Sequence, residues 1–206
     1  MGSVGSRIFL ISPASCRGKR AAQILSRRSQ LPLADALRSP RGAALGDVFA
    51  FISALYFRGK LTYARRFAAS PDIHVITPTE GLRSPDTLVT HTSISDFARG
   101  DIHPENAGYT RPLEQSAAAL LETIGTGRDV VLLGSIASPK YVGVLVDIFG
   151  ERLRFPADFV GRGDMSRGGL LLRKAREGVE LDYIAVKGAV RHGPRPPKLP
   201  GLPRLP

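Results

Sequence analysis

Three loops rich in serine, glycine and basic residues carry the candidate chemistry of this chain. The first spans residues 12–19, the second 134–140 and the third 161–169. Free backbone N–H groups, hydroxyls and the positive end of a helix dipole together form sites for anions. Glycine lets the backbone approach a ligand closely, and arginine can bind a phosphate through two hydrogen bonds. The loops therefore predict phosphate binding, with ordinary capped turns as the alternative.

The candidate phosphate-binding residues are the polar and glycine positions of these three loops. They are Ser12, Ser15, Arg17, Lys19, Gly134, Ser135, Ser138, Lys140, Arg162, Ser166 and Arg167. None of the loops matches the Walker A pattern or a dinucleotide-binding glycine motif directly after a strand. The prediction depends on the presence of three such loops in one basic chain. We hypothesise that the three loops converge on one cleft.

Two carboxylates are candidates for catalysis. Glu80 follows a strand within TPTEGL, where a carboxylate can act as a general base or bind a ribose; the alternative is a solvated turn acid. Asp164 lies among the arginines of the third loop, where it either takes part in chemistry or organises those arginines. Cys16 lies in a basic loop that can lower its thiol pKa, and the alternative is a small packing residue.

Aromatic residues alternate with basic ones near residue 56. Tyr56 and Phe57 precede Arg58 and Lys60, and such interleaving is typical of surfaces that stack nucleobases. At helical spacing, the same pattern also fits a buried aromatic face with solvated charges opposite. Both interpretations stay open at the level of sequence.

The composition predicts one globular domain with a tail. The chain has 206 residues, 43% of them hydrophobic, which is enough to build a core without cross-links. Its single cysteine excludes a disulfide within the chain, and its four histidines show no zinc-ligand spacing, so we expect neither a metal nor a cofactor. We place a single α/β domain at residues 1–190 and a Pro-rich basic tail at 191–206.

The net charge of +11 lies mainly at the two ends of the chain. Residues 1–45 carry eight Lys or Arg against one acid, and residues 187–206 carry five against none. A basic excess of this kind favours a polyanion partner, namely nucleic acid such as DNA, a nucleotide or an anionic membrane surface, over a merely solubilising surface. Since no apolar run approaches the roughly 18 residues that span a bilayer, we expect no membrane partner and a cytoplasmic protein.

Alternating strand and helix patterns predict an α/β fold. The predicted strands cover residues 7–12, 73–77, 129–134 and 180–186, and the predicted helices cover 20–29, 46–70, 110–125, 138–150 and 170–178. For residues 46–57 a strand is the alternative. Thr110 is the expected cap of the third helix, with Pro112 in its first turn. Residues 30–45 are expected to form a connection, and 88–109 give no clear pattern. The strand at 129–134 is apolar enough to be buried on both faces.

Five short blocks, in the same order along the chain, resemble the YaaA family (DUF328, the peroxide-stress proteins). The blocks are IFLISPAS, GDVF, ITPTEGLRSPDT, DVVLLGSIASPKYVGVL and FVGRGDMSRGGLLLR. The positions that match the family are Ser12, Pro13, Gly81, Leu82, Pro85, Ser166 and Arg167, whereas Ser15 replaces its lysine and Glu80 its tyrosine. The resemblance implies a mixed α/β fold with a barrel-like central sheet wrapped by helices. It also implies DNA binding in protection from oxidative stress, and relatives are linked to nucleobase or DNA modification.

Three hypotheses of function follow. The first is binding of nucleic-acid or nucleotide phosphates in one basic cleft. The second is an enzyme acting at the N-glycosidic bond of a nucleoside or nucleotide, as a glycosidase or base-exchange transferase, with Glu80 or Asp164 as the catalytic carboxylate. The third is an interaction module, because the tail has Pro-x-x-Pro spacing that suits an aromatic-groove protein partner, although a basic tail that prolongs DNA binding fits equally well.

Overall fold

A computed structural model of the chain describes residues 7–125, 127–137, 139–197 and 199. Its strands are β1 (Arg7–Ile11), β2 (Ala43–Ala44), β3 (Ile73–Ile76), β4 (Leu82–Arg83), β5 (Leu88–Val89), β6 (Asp129–Leu133), β7 (Leu153–Pro156) and β8 (Tyr183–Ala185). Its α-helices are α1 (Lys19–Leu25), α2 (Pro32–Arg38), α3 (Leu45–Ser53), α4 (Leu55–Phe67), α5 (His91–Arg99), α6 (Ala107–Ile124), α7 (Pro139–Phe149) and α8 (Asp164–Glu177). The fold is α/β, as the sequence predicts.

A six-stranded mixed sheet lies at the centre, in the order β4-β3-β1-β6-β7-β8. The four inner strands are parallel, and β4 and β8 pair antiparallel with their neighbours. The short strands β2 and β5 form a separate antiparallel pair. Within the described residues the sheet is open, with β4 and β8 as its edges. The barrel-like closure that the family resemblance implies is therefore not found.

The central strands are buried on both faces. Residues 8–11 of β1 and 130–133 of β6 have almost no exposed surface. Their sequences, IFLI and VVLL, are continuous apolar runs rather than alternating ones, because each strand has neighbours in the sheet and helices above and below. The predicted strands at 7–12, 73–77 and 129–134 are confirmed with small shifts at their ends.

The helices cover the sheet in two groups. The connection from β1 to β3 contains α4, and the connection from β6 to β7 contains α7. These crossovers run toward opposite edges of the sheet. Because connections between parallel strands are almost always right-handed, α4 and α7 are assigned to opposite faces of the sheet. Helix α8 packs on α4, and α6 packs on α7.

Helices α4 and α8 approach each other closely at a pair of glycines. A Cβ added at Gly59 would lie 2.6 Å from the carbonyl oxygen of Gly168, and one added at Gly168 would lie 2.8 Å from the carbonyl oxygen of Leu55. Neither position has room for a side chain, so the two backbones are in direct contact. This contact fixes the position of Lys60 on α4 relative to Asp164 at the start of α8.

Helix boundaries differ from the sequence predictions where tertiary contacts decide them. The helix predicted over 46–70 ends at Phe67 and is two helices, because Ala54 adopts φ +49° and turns the chain. Helix α6 begins at Ala107 with Asn106 as its cap, so Thr110 is not the cap and Pro112 lies inside the helix. Helix α8 begins at Asp164, well before the predicted residue 170.

Two α-helices, α2 and α5, and four short strands, β2, β4, β5 and β7, lie where no element is predicted. Helix α2 forms within the expected connection 30–45, because Pro32 occupies its first position, where the missing N–H costs nothing. Helix α5 follows a capping box between Thr90 and Ser93. Strand β7 is only four residues long and its pattern LRFP has no clear alternation. Of the helices in the described ranges, none combines the length and apolar character needed to cross a bilayer.

Candidate ligand-binding site

A pocket of about 420 Å³ opens at the carboxyl ends of β1 and β6. The loop after β1 forms one wall, and the loop after β6 with the first turn of α7 forms another. Seven of the residues predicted from sequence line it: Ser12, Ser15, Arg17, Tyr56, Ser135, Lys140 and Asp164. Two of the three predicted loops therefore meet in one site, and the third contributes its aspartate.

The sheet topology explains why the two loops meet. Strands β1 and β6 pair in parallel, with Ile11 opposite Leu133, so the residues that follow them emerge side by side. The chain then leaves β1 toward β3 and leaves β6 toward β7, in opposite directions across the sheet. Such a switch point leaves a crevice between the two departing loops, and α/β proteins bind ligands in this crevice.

Ser12 lies at the floor of the pocket and is only 5% exposed. Gly134 lies beside it, and a Cβ at Gly134 would be 2.8 Å from the Cβ of Ser12 and 3.1 Å from the hydroxyl oxygen of Tyr141. The glycine is required here because Ser12 and Tyr141 occupy the space of a side chain. Burial raises the pKa of Tyr141, and hydrogen bonds with Ser12 and the Ser135 backbone act in the opposite direction.

Lys60 lies directly beneath this floor and is only 1% exposed. Its Nζ donates to both the carbonyl oxygen and the Oγ of Ser12, each at 2.7 Å. The same nitrogen lies 4.3 Å from the ring centre of Tyr56 and 5.2 Å from that of Phe57. Burial lowers the pKa of Lys60 to about 7. A buried amine that bonds a pocket serine is the strongest chemical feature of the site.

Sequence reasoning missed the role of Lys60, although a signal for it exists. Lys60 follows Tyr56 by four residues and Phe57 by three, so the three share one face of a helix. Tyr56 and Phe57 are candidates for that buried face, which places a lysine on it. The spacing alone does not show that Ser12 supplies the oxygen atoms that the amine needs.

Asp164 forms the third side of the site, whereas Arg167 does not line the pocket. Asp164 lines the pocket and accepts a hydrogen bond of 3.3 Å from Nη1 of Arg167. Arg167 is only 7% exposed, and its Nε and Nη2 donate to the carbonyl oxygen of Phe159. The guanidinium is therefore engaged in holding the turn before α8, and the phosphate contact predicted for Arg167 is not found.

Arg17 lies at the pocket rim and also closes the end of α5. Its Nε donates to the carbonyl oxygen of Ala98 at 2.9 Å, and its Nη2 donates to those of Arg99 and Gly100. A cation at the C-terminus of a helix is stabilising, which accounts for this contact. Arg17 therefore lines the pocket while most of its guanidinium is engaged by the end of α5.

Cys16 is buried in the wall of the pocket, where its Sγ lies 3.8 Å from the carbonyl oxygen of Ala14. Burial raises the pKa of this thiol from 9.0 to about 12. The lowered thiol pKa considered from sequence is therefore wrong, because desolvation outweighs the neighbouring bases. The alternative, a small packing residue, agrees with the structure.

At pH 8 we expect native Cys16 to react with iodoacetamide about 1000-fold more slowly than in the unfolded chain, because far less thiolate is present. Mass spectrometry of timed samples, with and without denaturant, measures both rates. Equal rates in the two samples would contradict this assignment.

Several predicted residues lie away from the pocket. Glu80 pairs with Arg83 at 3.0 Å on the edge-strand side, as the solvated-acid alternative expects. Phe57 is fully buried against the ring of Phe49, which leaves no surface for a nucleobase. Lys19 is exposed at the start of α1 and does not line the pocket. Ser138 lies outside the described residues.

Arg162 and Ser166 face a second cavity, of about 390 Å³, together with residues of the tail. Nη1 of Arg162 donates to Ser166 at 3.4 Å and to the carbonyl oxygen of Pro197 at 3.5 Å. The hypothesis that all three loops converge on one cleft is thus wrong for this part of the third loop. Leu199 packs against the core, so the described part of the tail lies on the domain.

Searches of protein-family models, curated proteins and solved structures found no match to this chain. The resemblance to the YaaA family, with the DNA protection that it implies, stays a prediction. Within the described residues, no three His, Cys, Asp or Glu side chains come together in a way that could hold a metal ion. The polar pocket at β1 and β6 remains the best-defined candidate site.

Proposed function

We propose that this protein binds a nucleotide-sized anionic ligand in the pocket at the ends of β1 and β6. The observation that carries the proposal is the meeting of two polar loops, 12–17 and 134–140, at the switch point of the sheet. Its volume of about 420 Å³ lies within the range of small-molecule sites.

The charges around the pocket support a ligand with both anionic and neutral polar groups. Two cations, Arg17 and Lys140, and two carboxylates, Asp101 and Asp164, line the pocket. Cations favour a phosphate, and carboxylates accept hydrogen bonds from sugar hydroxyls. A nucleotide presents both kinds of group, whereas inorganic phosphate would meet the two aspartates at a cost.

The same geometry favours a nucleotide over duplex DNA. A duplex needs a continuous basic surface, but Arg162 and Ser166 lie in a separate cavity beside the tail. The aspartates in the pocket wall would also repel a DNA backbone. A single nucleotide unit, free or at the end of a strand, fits the site better.

Lys140→Gln is expected to weaken nucleotide binding by about 10-fold or more, since a charged hydrogen bond contributes about 1.5–3 kcal/mol. Titration calorimetry with a panel of nucleoside mono-, di- and triphosphates measures the affinity. Lys19→Gln is the matched control, because it removes the same charge from outside the pocket. The affinity of this variant for the nucleotide should stay within about twofold of the native value.

Two results would contradict this proposal. One is the absence of saturable binding by any nucleotide of the panel at millimolar concentration. The other is an equal loss of affinity in Lys140→Gln and Lys19→Gln, which would indicate attraction by overall charge. A duplex that binds with steep salt dependence, unaffected by Lys140→Gln, would favour the nucleic-acid hypothesis instead.

A further inference from the structure

Ser12 and Lys60 form a pair of polar groups with unequal access to the pocket. Ser12 lines the pocket and is 5% exposed, whereas Lys60 does not line it and is only 1% exposed. Their Oγ and Nζ atoms are 2.7 Å apart, within hydrogen-bond distance. The pocket therefore gives access to Ser12 but not to the amine behind it.

The surroundings of Lys60 favour a neutral amine. Lys60 is only 1% exposed, so no water solvates an ammonium there, and its two hydrogen-bond partners, both on Ser12, are uncharged oxygens. The rings of Tyr56 and Phe57 lie beside Nζ and favour the charged form, but they do not replace that water. The charged groups that act on Lys60 are Asp164 and Arg167, both on α8, and they act in opposite directions. Tyr56 on its own helix and Tyr141 on α7 are the ionisable neighbours of the pair, and burial raises the pKa of both.

We infer that Ser12 is a nucleophile with Lys60 as its general base, and that the pocket catalyses acyl transfer from an ester or amide. A neutral amine held against a serine hydroxyl can accept its proton, as the serine–lysine variants of the catalytic triad do. The inference goes beyond nucleotide binding, because it concerns the floor of the pocket rather than its charged rim.

The reaction balances with water as the only co-reactant. Oγ of Ser12 bonds to the carbonyl carbon while Nζ of Lys60 takes the hydroxyl proton, and the carbonyl π electrons move to oxygen. When these electrons return, the bond to the leaving alcohol or amine breaks, and Lys60 returns the proton to it. Water then attacks the carbonyl carbon of the acyl-serine ester and gives a proton to Lys60. When this second intermediate collapses, the bond to Oγ of Ser12 breaks, Lys60 returns the proton to Oγ, and the carboxylic acid is released.

An alkyl fluorophosphonate tests this inference without knowledge of the substrate. Ser12 is expected to displace fluoride and gain a phosphonyl group, detected as an intact-mass shift and located by peptide mapping. The labelling rate of the unchanged protein should rise with pH and level off above about pH 7–8, as Lys60 loses its proton.

Two substitutions separate a catalytic from a structural role of the pair. Ser12→Ala should abolish labelling, and Lys60→Met should slow it about 100-fold or more, since general-base catalysis contributes factors of that size. Lys19→Met is the control for removal of a lysine and should label at the native rate.

Absence of label on Ser12 in the native protein would overturn the inference, and so would a rate that does not change with pH. Equal labelling of Lys60→Met would overturn it as well. The native protein supplies the first two results, so the conclusion does not depend on folding of the variants. The probe contains no nucleotide, so its outcome is separate from that of the binding experiment.

Discussion

Replacing Gly168 by alanine is expected to destabilise the protein by about 2 kcal/mol. The new Cβ would lie 2.8 Å from the carbonyl oxygen of Leu55 and 2.9 Å from the Cα of Tyr56, both backbone atoms of α4. Overpacking of this kind costs up to about 3 kcal/mol, and the better helix propensity of alanine returns about 1 kcal/mol. The free energy of unfolding from urea denaturation measures the difference.

Gly169 offers a control one residue along the same helix. An added Cβ there meets no atom within 4 Å, so Gly169→Ala gains helix propensity at no steric cost. We expect it to stabilise the protein by about 0.5–1 kcal/mol. Equal stabilities of the two variants would mean that α4 and α8 separate freely and that their close contact is unimportant.

The same glycine contact bears on the site. Helix α4 carries Lys60 and helix α8 carries Asp164, so a shift of one helix against the other changes both the pocket floor and its wall. Gly168→Ala is therefore expected to lower the fluorophosphonate labelling rate of Ser12, in contrast to Gly169→Ala. Labelling and stability then report on one structural element by two independent measurements.

The second large effect is a pH dependence of stability caused by Lys60. Burial lowers its pKa from 10.5, the ordinary value, to about 7 in the folded protein. Between these two values the unfolded chain binds a proton that the folded protein does not, so the free energy of unfolding rises with pH. In this range the free energy of unfolding changes by about 1.4 kcal/mol per pH unit. The stability gained in this way is lost as pH falls toward 7, and below about pH 7 Lys60 causes no further change.

Lys60→Met removes this titration while keeping an unbranched apolar stem. The stability of the native protein minus that of Lys60→Met should rise by about 1.4 kcal/mol per pH unit between about pH 7.5 and 9.5, and should be constant below about pH 6.5. Urea denaturation of both proteins across that range gives the difference, in which other titrating groups cancel. A constant difference throughout would show that folded Lys60 stays protonated, and it would no longer qualify as a base.

Much of the candidate site can be predicted from loops that follow strands. Ser12 and Ser135 are recognisable because each comes directly after a short apolar run, and both line the pocket. The loops after parallel strands emerge at the same edge of the sheet, so two such loops are good candidates for one site. Arg17 and Lys140 follow from the same reasoning, because basic residues in these loops stay near the rim.

The sequence is a poor guide to residues whose neighbours come from distant segments. Arg162 and Arg167 both belong to the glycine-rich third loop, yet Arg167 is buried against the carbonyl oxygen of Phe159 whereas Arg162 lies beside the tail. Phe57 and Tyr56 are adjacent in sequence, but only Tyr56 reaches the pocket. The direction of each side chain depends on how α4 and α8 pack, and local patterns contain no information about that packing.

The amino-acid sequence alone determined the α/β class, the central strands and the polar loops that follow them, because these depend on hydrophobic runs and turn residues that are local in the chain. Only the tertiary structure decided that the sheet is open, that Ser12 lies beside Gly134, and that Lys60 lies beneath Ser12. The register of β1 with β6 and the glycine contact between α4 and α8 bring these residues together. Both are contacts between segments more than 100 residues apart, whose energy is gained only when the whole domain packs.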